Sequence, residues 1–323
     1  MDSYLQSWLD VIGKMANDNT YKLAWGRGII ECIQTKAYTS TDEYIEISFF
    51  AIAEKMLKYY WNQEFFFKLK QGPNSTKTPI IHQITEDVIQ QYTHITQSTI
   101  PVWYDRAKDI IFKDQTYYQK TLKKLVSAVS QDVCWRFLYY EGQTHDIYEL
   151  NRKEKWLRIS NTNQKTIDDY GIVLTQLLNY KWAQLLEQFN RSPKIVSKVR
   201  GSQENNIKRK NLSKFKEILL KQFEEGRPID FYTGLILNEN DISLDHVIPW
   251  SFLYSDDIWN LVITNKAYNS SKSNSIPSKQ TITRLIDRNR KLLNQNIDKK
   301  THDDLFEAIH NAYVEKYFTD IQV

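Results

Sequence analysis

The chain has 323 residues, long enough for one large domain or two ordinary ones, and 43 Lys and Arg against 39 Asp and Glu leave a net charge of only +4, which by itself identifies no polyanionic partner. Trp 9, Tyr 20 and Phe 14 against Gly 9 and Pro 7 point to a mostly helical protein with a sizeable core. Cys32 and Cys134 are too few for a disulfide framework or a zinc knuckle, no run of about 18 apolar residues could span a membrane, and MDSYLQSWLD lacks the basic start and apolar stretch of a signal peptide, so the expectation is a soluble cytoplasmic protein with two buried thiols.

In chain order, Leu5, Trp8, Leu9, Ile12 and Met15 recur at helical spacing, and 21–33 continues as helix with Gly26 and Gly28 as weak points. A stronger helix is predicted from Thr41, as N-cap, through Ile45, Phe49, Ile52, Met56 and Tyr60. QGPNSTKTP (71–79) breaks the pattern. Helices are predicted near 80–95 and 115–138, the second with Leu122, Leu125, Val129 and Val133 on its apolar face. HDIYELNRKEKWLRIS (145–160) reads as a β-hairpin, and helix resumes over 164–189 until Asn190-Arg191-Ser192-Pro193 stops it. The clusters Tyr59-Tyr60-Trp61 and Phe65-Phe66-Phe67 read as core or subunit interface rather than as base-stacking platforms. His82, His94, His145, His302 and His310 show no metal-ligand spacing.

Composition shifts at 191–221, where ten basic residues, Lys208, Arg209, Lys210 and Lys214 among them, face two acidic ones. Residues 201–206 read as loop and 211–224 as a basic amphipathic helix. A domain boundary is placed here, between a mainly helical recognition or dimerisation domain (1–200) and a second domain (207–323). The basic excess suits phosphate contacts, which Arg284, Arg288, Arg290 and Lys291 would extend. No GxxxxGK[ST] phosphate loop is present.

The segment 231–278 carries Leu244-Asp245-His246-Val247-Ile248-Pro249, then Trp259-Asn260-Leu261-Val262, then Asn269, Lys272 and Asn274. This ordered set resembles the HNH endonuclease family, and its His-x-x-Pro-x-Ser-Phe run and Asn-x-x-Lys-Ser ending are similar to the HNH domain of the RNA-guided Cas9 nucleases. The resemblance covers roughly 225–290. It implies two strands and a helix around one metal ion, hence a mainly α chain with a small α+β module at its C-terminal side.

By the same resemblance, His246 is the general base that activates water and Asp245 ligates the metal. Asn269 supplies the second ligand, with Asn265 as its rival. Asn260 holds the loop, and Lys272 steadies a phosphate. Two oxygen ligands favour Mg²⁺ or Mn²⁺. If the strand is regular, Asp245 and His246 point to opposite faces, so a local distortion is expected to bring both to the phosphate. Many family members hold a structural zinc with two Cys-x-x-Cys pairs. Here the matching positions are Asp230 and Thr233, then Asn265 and Tyr268, so no zinc is expected and packing of Phe231, Leu235, Ile248, Trp250, Phe252, Trp259 and Val262 must hold the module.

The resemblance therefore implies a DNA endonuclease of the kind used in bacterial restriction or anti-phage defence. A homodimer would supply two cuts for a double-strand break, and a protein partner or nucleotide second messenger could act as a trigger. A catalytically silent nucleic-acid-binding module is the alternative, and the chemistry alone also admits RNA.

Overall fold

The computed structural model describes residues 2–73, 79–201, 212–223 and 227–322. It is mainly helical with small antiparallel sheets. The chain divides into two compact units, Met1–Asn190 with Ile195–Asn205, and Arg191–Lys194 with Asn206–Val323.

The first unit contains α1 (Ser3–Lys14), α2 (Tyr21–Gln34), β1 (Thr39–Ser40), β2 (Tyr44–Ser48), α3 (Phe49–Tyr60), a π-helical turn (Trp61–Phe66), α4 (Ile80–Thr96) and α5 (Tyr104–Ile111). It continues through α6 (Gln115–Gln131), α7 (Val133–Arg136), β3 (Tyr139–Tyr140), β4 (Gln143–Thr144), β5 (Glu149–Asn151), β6 (Trp156–Ser160), α8 (Asn161–Phe189) and α9 (Ile195–Gly201). Helix α2 packs against α3, α7 and α8, and everything from Leu23 to Ile30 along it is buried. The glycines read as weak points are close-approach sites. A Cβ on Gly26 would stand 2.6 Å from the Phe137 ring, and one on Gly28 would stand 2.9 Å from Ile52. Trp8, Trp25, Tyr59, Tyr60, Trp61 and Trp182 are fully buried, as are both free cysteines.

The helix expected from Thr41 begins eight residues later. Tyr44-Ile45-Glu46-Ile47-Ser48 alternates, with Ile45 and Ile47 buried, and pairs antiparallel with β6 in a sheet of order β1-β2-β6-β5. The Ser48 hydroxyl accepts from the Ala51 N–H at 3.2 Å and is the true N-cap. Thr41 instead closes a turn, accepting from the Glu43 and Tyr44 N–H groups. Period-2 burial of β-branched residues outweighed a helical reading that ran one element into the next. The hairpin at 145–160 forms as β5 and β6, and the Asn151 carboxamide accepts from Lys153 and Glu154 in its turn.

The second unit contains α10 (Ser213–Leu220), β7 (Ile242–His246), α11 (Trp250–Leu253), β8 (Leu261–Asn265), α12 (Lys266–Lys272), α13 (Lys279–Leu293), α14 (Lys299–His310) and α15 (Tyr313–Ile321). Strands β7 and β8 form an antiparallel hairpin buried on both faces. Val262 joins Val247, Ile248, Phe252, Trp259, Ile282, Leu285 and Val314 on one side. Leu261 and Ile263 join Ile218, Leu219, Ile242, Leu292 and Leu305 on the other. That double burial explains the unbroken apolar run Leu261-Val262-Ile263. Leu235, expected in this core, is 68% exposed. Among the described residues no helix is long and apolar enough to cross a membrane.

Candidate active site

Helix α12 is launched by Asn265, whose side-chain oxygen accepts from the Tyr268 N–H at 2.7 Å. Asn269 and Lys272, three residues apart, therefore share one helix face, and that face meets β7. The Asn269 amide nitrogen donates to the Ser243 hydroxyl at 2.7 Å and to the Leu244 carbonyl at 3.0 Å. Lys272 Nζ donates to the His246 carbonyl at 2.8 Å and pairs with Asp245 Oδ2 at 3.0 Å. The Tyr232 hydroxyl donates to the same carboxylate oxygen. Burial, reinforced by the Asp245 charge, pushes this phenol well above its ordinary value, so it stays protonated as the donor. Its ring stacks on Tyr268 with centroids 4.5 Å apart.

The other oxygen of Asp245 and the amide oxygen of Asn269 take no hydrogen bond among the described residues. A carboxylate and an amide oxygen are hard donors that suit Mg²⁺ or Mn²⁺. Among the described residues no group of three or more His, Cys, Asp and Glu side chains could hold a metal ion. An ion at Asp245 and Asn269 would complete its shell from water and substrate.

His246 ends β7 with its ring nitrogen Nε2 3.0 Å from Asp256 Oδ1, both side chains being 9% exposed. The ladder runs in register through Asp245↔Val262 and His246↔Leu261. The expected distortion is thus absent from the strand itself. The chain turns only after His246, where Asn260 takes over. The Asn260 amide accepts from the Ile248 N–H and donates to the Ile248 carbonyl, both at 2.8 Å, and its carbonyl accepts from the Val247 N–H at 3.0 Å.

Of the four positions where a zinc knuckle would be expected, Asp230 bonds through its carboxylate to Thr233 and Asn265, and Asn265 bonds in turn to Tyr268. Asp230 Oδ1 accepts from the Tyr232 and Thr233 N–H groups, and Oδ2 accepts from the Thr264 hydroxyl and from the Asn265 N–H and amide, all at 2.8–2.9 Å. Burial alone would raise the Asp230 carboxyl, but these hydrogen bonds outweigh it and hold the group below its ordinary value.

The basic residues divide three ways. Lys214 is exposed, with Asp298 3.8 Å away. Arg284 is exposed, lies over the Phe231 ring at 4.9 Å and donates to the Tyr232 carbonyl at 3.4 Å. Arg288 departs from the phosphate-binding expectation. Its guanidinium donates to the carbonyls of Ile258, Trp259 and Leu261 and pins the turn before β8 to α13. Burial lowers its pKa to about 9. Lys208, Arg209 and Lys210 lie outside the described residues.

Residues 9–201 match the family model of a domain of unknown function, DUF8808. The chain belongs to the DUF8808 family. Residues 230–278 match the model of an HNH endonuclease, so an HNH domain lies there and carries Asp245, His246 and Asn269. The chain is also similar to the CRISPR-associated endonuclease Cas9 of Streptococcus mutans serotype c (strain ATCC 700610 / UA159), 33% identical over 95 residues. That match covers 28% of this chain and 7% of the Cas9 chain. No solved structure matches. Sequence reasoning about the HNH domain passed over Tyr232 and Asp256. Both lie inside the motif segment, but neither stands at a spacing that marks it, because each reaches the site only through tertiary folding.

Proposed function

We propose that this DUF8808 protein is a divalent-metal-dependent endonuclease that hydrolyses DNA phosphodiester bonds through its HNH domain. The observation that carries the reading is the clamp of α12 on β7. It sets Asn269 beside the strand that bears Asp245 and leaves one oxygen of each side chain open, within the segment that matches the HNH family. Asp245 and Asn269 would hold Mg²⁺ or Mn²⁺, which when bound supplies charge neutralisation on the phosphate and the leaving oxygen. His246 takes the proton from the attacking water. Lys272 and Tyr232 fix the Asp245 carboxylate through its other oxygen. Asn260 holds the 247–249 turn that follows the base, and Asp230 supports the frame where relatives use zinc.

Lys214 and Arg284, with Lys208, Arg209 and Lys210, would meet the DNA backbone. One HNH site cuts one strand, so a double-strand break calls for a second copy of the chain. A cytoplasmic role in bacterial restriction or anti-phage defence follows by analogy with standalone nucleases of this design.

Plasmid nicking with Mg²⁺ tests the reading. The wild type should cut, chelation should stop it, and His246→Ala should leave the plasmid intact. Wild-type protein that leaves DNA uncut under every divalent ion sinks the simple form. A second reading, a nuclease silent until a partner or second messenger acts, is favoured by the Lys272 and Tyr232 contacts that cover one oxygen of Asp245. It predicts cutting only after phage-infected or partner extract is added.

A further inference from the structure

We propose that Asp256 is a positioning residue for His246. It holds the imidazole in the tautomer that carries its proton on Nε2 and so turns the lone pair of Nδ1 toward the attacking water. The role rests on the hydrolytic reading, but the geometry behind it can be tested without catalysis. Asp256 sits in the connection from α11 to the turn before β8. Tyr254, in the left-handed region at φ 55°, closes α11 with its N–H on the Trp250 carbonyl. Its ring packs 4.7 Å from that of Trp250.

The chain then presents two carboxylates in succession with different fates. Asp257 Oδ2 accepts from the Ser255 hydroxyl, and the Asp257 carbonyl accepts from the Asn260 N–H, so this residue anchors the loop to the turn that Asn260 organises. Asp256 is left to face the end of β7, where Oδ1 lies 3.0 Å from His246 Nε2.

A carboxylate only accepts, so the ring nitrogen that faces it must carry hydrogen, and in the neutral ring Nδ1 is then the basic atom. Nδ1 has no protein partner among the described residues. The proton balance is simple. One proton leaves water for Nδ1, the Nε2 proton stays in place, and Asp256 remains ionised throughout. With both side chains only 9% exposed, water competes weakly for the contact and the ring orientation is held.

The experiment uses the full chain, metal-free, with ¹⁵N-labelled histidine and long-range ¹H–¹⁵N correlation at a pH where His246 is neutral, its signals being assigned by their loss in His246→Gln. The wild type should give the Nε2–H pattern for His246, and Asp256→Ala should give a tautomer mixture. In plasmid nicking, Asp256→Ala should lower kcat at unchanged KM by at least about tenfold, and by no more than removal of the base itself, about 10²–10⁴-fold. A wild-type Nδ1–H pattern, or an Asp256→Ala spectrum identical to the wild type, overturns the proposal. If Asp256→Ala does not fold, Asp256→Asn serves in its place. Its amide oxygen still accepts, so it should keep the Nε2–H form, and loss of that form counts against the proposal. If the wild type does not cut DNA, the functional reading fails while the spectra still decide the positioning.

Discussion

At the scale of single residues the HNH domain separates chemistry from support. His246→Ala removes the proposed base and should lower nicking by about 10²–10⁴-fold while far-UV circular dichroism stays unchanged. Asp230→Ala should act the other way, through stability. It deletes an acceptor used five times across 230–265, at a cost of about 2–4 kcal/mol in urea unfolding at pH 7. Because the folded carboxyl lies below its unfolded value, its contribution is fully present above about pH 3.9 and is lost as pH falls through the lower folded value. The variant should therefore show a flatter acid limb. The sequence indicated Asp230 only as a missing cysteine. Its bonding was decided by tertiary folding, because the donors come from two separated stretches of chain, 232–233 and 264–265.

Elements add constraints that a residue-by-residue reading misses. The π-helical turn Trp61–Phe66 buries Glu64 beside His82, with Glu64 Oε2 2.8 Å from Nδ1. Burial pushes the Glu64 carboxyl up to about 7, against the opposing pull of His82, and the hydrogen bond to Glu64 raises His82. Both groups hold protons more tightly when folded. Their contribution is complete below the unfolded values and fades as pH rises through the folded ones. Thermal unfolding of the first unit should thus occur at lower temperature at pH 8.5 than at pH 5.5, and Glu64→Gln should remove most of that difference.

Helix α2 poses a test of propensity against packing. Ala favours a helix over Gly by up to about 1 kcal/mol, but overpacking a filled core costs about 1–3 kcal/mol. With the buried Phe137 ring 2.6 Å from the new Cβ, Gly26→Ala should destabilise the protein in denaturant titrations. The shift of helix start from Thr41 to Phe49 belongs here as well. The pattern Ile45, Phe49, Ile52, Met56 fits a helix on its own, and only the presence of β6 as a partner makes Ile45 and Ile47 a strand.

For the molecule as a whole, DNA affinity should be carried by exposed cations and weakened by salt. Binding of the His246→Ala chain to plasmid, measured across salt concentrations, should show a slope reduced by about one for each of Lys214→Ala and Arg284→Ala. Arg288→Ala should leave the slope unchanged and lower stability, because both of its terminal guanidinium nitrogens already donate to backbone carbonyls. A slope that falls for Arg288→Ala and holds for Arg284→Ala would reverse this division of the basic face.

The sequence by itself determined the helical class, the hairpin at 145–160 and the HNH motif with Asp245, His246, Asn260, Asn269 and Lys272. These are local matters of periodicity, turn chemistry and ordered spacing along one segment. Only the tertiary structure decided that Asp256 faces His246, that Tyr232 and Lys272 share Asp245, that Asp230 ties 232–233 to 264–265, and that Arg288 holds the fold. A hydrogen-bonding side chain has many possible partners along a chain, and folding chooses among them by which elements pack together.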